Sequence, residues 1–277
     1  MNKEGYTPEQ LESLTKERPK NETNKRFVLS KETFAQERMQ AVREAVDEIK
    51  EKHDEVLSFC MFGSMTKGTA HVGSDIDGYL FIDSERIAQK DGVPEDQVLR
   101  AIEGQSPNMT YLTEEVAKKY ILEFRDSIKN KSDLKDKDVG HVRTRPISEK
   151  VIDKEISSFL TYFKDLDVYK EASTLWFKNY PTRGTSSVDE LIAREKAKPH
   201  FPEKVSSSLS LMFHLDIGGG IKKYRKLFIK KLQELGPEGE RIWTDTITST
   251  EMMENNLSTD KTKRYPRTLA EAVEVYG

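Results

Sequence analysis

Between Ser30 and about His53, Phe34, Met39, Val42, Val46 and Ile49 recur near helical spacing, which predicts an amphipathic helix. Ser30 stands ahead of it as a cap, with Glu32 and Thr33 in the first turn. The pattern then changes. "VLSFCMF" (56–62) is a continuous apolar run stopped by Gly63-Ser64, and "IDGYLFI" (76–82) is a second. Runs of this length bounded by small residues predict two buried strands. Residues 84–104 read as a loop and a short helix, "PEDQVLRAIEG", and Thr113 opens a longer helix, "TEEVAKKYILEFRDSIKN". After the charged loop 130–138, "VGHVRTRPIS" reads as a third strand ended by Pro146.

From Ser148 the texture is helical. "SEKVIDKEISSFLTYFKDL" and "DVYKEASTLWFKNY" read as two helices and 181–187 as a loop, followed by two further helices divided by Gly218-Gly219-Gly220. "RYPRTLAEAVEVYG" leads into a short terminal helix. The division this suggests is a polar arm (1–29), an α/β part (30–147) and an all-helical C-terminal part (148–277), with no internal repeat.

The segment between the two strands carries the candidate chemistry. In extended chain, alternate side chains share a face, so Asp75 and Asp77 point the same way while Ile76 points into the core. Two like charges so placed repel unless a cation lies between them. Mg²⁺ takes oxygen ligands and leaves positions for water and phosphate. Two such ions suit in-line phosphoryl displacement. Gly63-Ser64 supplies the complement: a glycine lets backbone approach a phosphate, successive N–H groups can cradle an anion, and Lys67 adds positive charge. A Walker loop is excluded, because Thr69-Ala70 follows Gly68 where Lys-Ser/Thr is required. An EF-hand needs more acids and a distal Glu at fixed spacing. A lone Asp-x-Asp also punctuates turns. The order strand, Gly-Ser, loop, Asp-x-Asp, strand is what distinguishes this one.

In these residues, Gly63-Ser64 after a strand and then Asp75-Ile-Asp77 preceded by Ser74, the chain resembles the DNA polymerase β-like nucleotidyltransferase superfamily. The resemblance covers roughly Ser30 to Ser148. It implies an α/β (α+β) fold with a small mixed sheet flanked by helices. It also implies two Mg²⁺ ions, with Mn²⁺ as the alternative, and transfer of a nucleoside monophosphate from an NTP with release of pyrophosphate. Gly63, Ser64, Lys67 and Ser74 would bind the nucleotide; Asp75 and Asp77 would hold metal. A third carboxylate is implied on a later strand, and Asp138 is the candidate, with Asp133 or Asp136 behind it. The acceptor is left open among a small molecule, a protein hydroxyl and an RNA end. The alternative is an inactive module of the same fold that binds nucleotide or a partner protein, of regulatory or toxin–antitoxin type.

His141, beside the place implied for the third acid, is a ligand or proton acceptor in one reading and a hydrogen-bonded strand histidine in the other. Arg143 and Arg145 alternate on its face and can grip phosphates or stand as surface charges. Lys222, Lys223, Arg225, Lys226, Lys230 and Lys231 line one helix whose other face is apolar, which reads as a solvated face or as a basic border to a cleft.

Composition narrows the rest. A net charge of −3 over 277 residues gives no global attraction to nucleic acid or anionic lipid. The one cysteine, Cys60, lies in an apolar run and excludes an internal disulfide. With no apolar leader and no run long enough to span a bilayer, the expectation is a cytoplasmic protein that does not engage a membrane.

Overall fold

The computed structural model describes Phe27 and residues 29–103, 111–139, 141–179, 208–253 and 265–277. The expected arm, Phe27 and Leu29 apart, and the loop 181–187 lie outside the described residues.

Helix α1 spans Thr33–Lys52. Ser30 contributes from outside it, its Oγ accepting the Glu32 N–H at 3.2 Å. Strand β1 (Val56–Phe62) runs as expected and ends at Gly63, and a single helical turn, α2 (Ser64–Lys67), follows. Strand β2 is Asp77–Asp83. The stretch expected as loop holds a helix, α3 (Ser84–Asp91), because Asp83 caps it by accepting the Arg86 N–H at 3.1 Å. Helices α4 (Glu95–Glu103) and α5 (Tyr111–Lys131) and a 3₁₀ turn (Asp136–Val139) lead to β3 (His141–Ile147).

The sheet order is β3-β2-β1-β4, with β1 antiparallel to β2 and β4, and β2 parallel to β3. Pro146 does not end β3 but pairs opposite Ile82 within it. An edge strand tolerates a residue without an N–H. Strand β4 (Leu215–Ile217) is a correction to the all-helical reading of the C-terminal region. Its three residues pair with Phe59, Cys60 and Met61 on the free edge of β1. The two helices expected over 148–180 are one, α6 (Glu149–Asn179). Then come α7 (Ser208–Leu211), α8 (Lys222–Glu234), α9 (Pro237–Met253) and α10 (Leu269–Tyr276).

Two apolar layers sandwich the sheet. One face, with Phe59, Met61, Leu80, Ile82 and Val142, packs on Val42, Val46 and Ile49 of α1 and Phe124 and Ile128 of α5. The other face, with Cys60, Phe81 and Ile147, packs on α6, α8 and α9 through Ile152, Phe228 and Trp243. Cys60 is fully buried there, and burial pushes its thiol well above the ordinary range, as expected of a core residue rather than a nucleophile. A buried ion pair ties β4 down. Arg225 of α8 donates to the Met212 and His214 carbonyls at 2.5 and 3.0 Å and to Asp216 Oδ2 at 3.3 Å.

Candidate active site

Site residues gather where the C-terminal end of β1 meets the N-terminal ends of β2 and β3. Phe62 pairs with Asp77 across the antiparallel ladder, and Asp77 pairs with His141 across the parallel one. The connection between β1 and β2 therefore folds back over its own start. Gly63 has φ +83°, in the left-handed region, and a Cβ built on it would run into the Asp77 carboxylate. Glycine is required there twice over. The Gly63 carbonyl closes the α2 turn by accepting the Thr66 Oγ1–H at 3.0 Å.

The loop ahead of Asp75 is clamped from behind. Arg38 of α1 is 2% exposed and donates to the Ser74 carbonyl at 2.9 Å and the Val72 carbonyl at 2.7 Å. Its Nε and Nη2 grip Asp133 at 2.8 and 2.9 Å. Ser74, buried, folds the same loop: its Oγ accepts the His71 N–H at 2.9 Å. The Ile76 N–H then donates to the Asp138 carbonyl at 2.7 Å, fixing the entry to β2. Sequence reading missed Arg38. The signal was present, for Arg38 lies in the buried stripe Ala35, Arg38, Met39, Val42, where a charge is out of place.

Asp75 and Asp77 come together with His141. The imidazole Nδ1 lies 3.0 Å from Asp77 Oδ1 and 3.6 Å from Asp75 Oδ2. One donor atom from each of the three falls within 4.8 Å of the others, the one such group of three among the described residues. Burial, then the neighbouring Asp75 charge, raise the Asp77 carboxyl above its ordinary range, opposed by His141 and Lys67. A pair of carboxylates held in mutual repulsion, open to solvent on the His141 side, fits a divalent cation.

Asp138 is not in this group. It sits in the 3₁₀ turn with its Oδ2 accepting the Lys135 N–H at 2.9 Å. Asp133 is engaged by Arg38, whose guanidinium lowers its carboxyl below the ordinary range. The Asp136 side chain lies outside the described residues. On β3, the position beside Asp77 belongs to His141.

Beyond the carboxylates the same face continues as Tyr79, with Phe62 stacked on it at 5.8 Å and the Arg145 guanidinium 5.1 Å from its ring. Arg143, opposite Tyr79 in the ladder, is exposed. The basic face of α8 is partly spent elsewhere. Arg225 is buried, and Lys231 pairs with Glu149 and Asp153 at 2.9 and 2.7 Å. Lys223 Nζ lies 3.6 Å from Asp83, at the opposite end of β2 from Asp77.

A nucleotidyltransferase domain family model matches residues 42–164. That segment, less than half of the chain, is similar to a nucleotidyltransferase domain. The match runs from the middle of α1 into α6 and takes in every residue of the group above, consistent with the polymerase β-like superfamily. No curated protein and no solved structure matches the chain. Among the described residues no helix is long and apolar enough to cross a membrane.

Proposed function

We propose that the protein is a divalent-cation-dependent nucleotidyltransferase that moves a nucleoside monophosphate from an NTP to a hydroxyl acceptor. The observation that carries this is how near the two halves of the motif lie: a Cβ built on Gly63 would collide with the Asp77 carboxylate, which supports reading the phosphate loop and the metal-ligating pair as one site. Asp75 and Asp77 hold the cation, with His141 in the third position. The cation supplies charge neutralisation on the phosphates. The backbone at Gly63-Ser64 takes the triphosphate, and Lys67, close enough to act on Asp77, adds charge to the same place. Ser74 and Arg38 act indirectly, by holding the loop that aims Asp75. Arg143 and the Phe62–Tyr79 stack form the adjoining wall, suited to a phosphate and a planar ring.

In the transfer, the acceptor oxygen bonds to the α-phosphorus as the bond to pyrophosphate breaks, and the hydroxyl proton leaves to a base or to water. Positioning and charge supply most of the acceleration. The second reading, a module that binds NTP without turnover, is favoured by one observation: an imidazole stands where the resemblance implies a carboxylate. Each α-labelled NTP, incubated with the protein and with total RNA, protein or metabolite fractions, separates the two. Label entering one fraction, and lost in Asp75→Ala and Asp77→Ala, supports transfer. NTP binding with no label moved in any fraction supports the binding module.

A further inference from the structure

The donor set differs from an all-carboxylate site by one atom, and that atom has consequences for which cation is chosen. Resting on the reading of Asp75 and Asp77 as cation ligands, we propose that His141 is a direct nitrogen ligand and that the site prefers Mn²⁺ to Mg²⁺.

Three observations converge. First, the parallel register places His141 opposite Asp77, so the ring is held on the carboxylate face by backbone pairing rather than by a flexible loop. Second, Nδ1 is the ring atom turned to the carboxylates, at 3.0 and 3.6 Å, and the three donor atoms span at most 4.8 Å. Ligands around a cation with bonds of about 2.1 Å lie roughly 3–4 Å apart, so little rearrangement brings all three onto one ion. Third, the His141 side chain is 69% exposed, and its described polar partners are the two aspartates. A histidine placed to fill a core would be buried.

The chemistry then decides between cations. Mg²⁺ demands oxygen and parts with water reluctantly, so an imidazole in its coordination sphere is a poor ligand. Nitrogen donors favour the later divalent metals. Zn²⁺ prefers four ligands, and three from the protein would leave one position, too few for a triphosphate and water. Mn²⁺ stands first and weakest in that series, but it tolerates an imidazole better than Mg²⁺ does and keeps octahedral, oxygen-rich coordination, so two carboxylates and one imidazole leave three positions for phosphate and water.

The test is pulsed electron paramagnetic resonance of the Mn²⁺-loaded full chain with a non-hydrolysable NTP analogue, together with Mg²⁺ competition. Wild type should show coupling of Mn²⁺ to a nitrogen, and His141→Ala should lose it while circular dichroism stays unchanged. In His141→Asp the preference for Mn²⁺ over Mg²⁺ should fall by about tenfold, the scale on which ligand-shell changes act. Mn²⁺ bound in an Asp77-dependent way, without nitrogen coupling or with an unchanged preference in His141→Asp, overturns this inference and leaves the proposed function standing. If neither cation binds in an Asp77-dependent way, even with the analogue present, both fall.

Discussion

His141 Nδ1 lies 3.0 Å from Asp77 Oδ1, across a parallel strand pair that sets the two residues directly opposite each other. The contact is a consequence of register: one residue's slip in β3 would turn the histidine to the other face. It offsets part of the charge that burial and Asp75 make costly at Asp77, and the remainder is what the proposed cation would offset.

That remainder is measurable without metal. The Asp77 carboxyl is raised in the folded chain, by burial first and by Asp75 second. Between its ordinary and its raised value the folded state binds more protons than the unfolded one, so stability falls as pH rises through that window. Asp77→Asn removes the effect. In thermal melts with chelator, the variant should match wild type below the ordinary carboxylate range and exceed it at neutral pH. A difference that does not change with pH would count against the repulsion.

Gly63→Ala tests the joint between the phosphate loop and the carboxylates. The positive φ with extended ψ costs a non-glycine residue about 1–3 kcal/mol, and the new methyl group meets Asp77. The fold should persist, because the change lies at a strand end. Transfer should drop by about a hundredfold, the scale of a misplacement near 1 Å. Near-wild-type activity would show that the two halves do not act together.

Arg38 never reaches the site, yet it sets the path of the chain into Asp75. Arg38→Met should cost about 1–3 kcal/mol for the buried Ser74 carbonyl left unpaired, read by denaturant unfolding. Activity, measured where the variant is folded, should fall further than stability does. Asp133→Asn, which alters only the exposed partner, should be milder in both.

Arg225 and Asp216, 1% and 2% exposed, hold β4 and the C-terminal helices to the sheet. Arg225→Met leaves a buried carboxylate without its counter-charge and should destabilise by about 3–5 kcal/mol. Adding Asp216→Leu should recover part of this; the Met212 and His214 carbonyls stay unpaired, so recovery is incomplete. Full additivity of the two losses in urea titrations would refute the pairing.

Strands β1 and β2, Gly63-Ser64 and Asp75–Asp77 were legible because they are local: an apolar run, a positive-φ glycine and a two-residue alternation each show in a few consecutive letters. The third position was legible only as alternatives, Asp138 first and His141 as a ligand, a proton acceptor or a strand histidine. Asp138 is nearby in sequence, but its side chain turns to the Lys135 N–H, and placing His141 beside Asp77 needs the register of two strands 64 residues apart. Leu215-Asp-Ile217 has too few residues to show a period, and its strand character comes from the open edge of β1. Arg38 had a local signal, a charge within an apolar stripe, but its partners lie 34 to 95 residues away.

The proposed function stands on Asp75 and Asp77 serving nucleotidyl transfer. Pyrophosphate release from the NTP and acceptor fraction that give label transfer, compared between wild type and Asp77→Asn with Mn²⁺ or Mg²⁺, tests it most directly. Wild type should release pyrophosphate only with the cation, matched one for one by transferred nucleotide, and the variant should lose at least a hundredfold. Equal release by the two proteins, or release that persists in chelator, would contradict it.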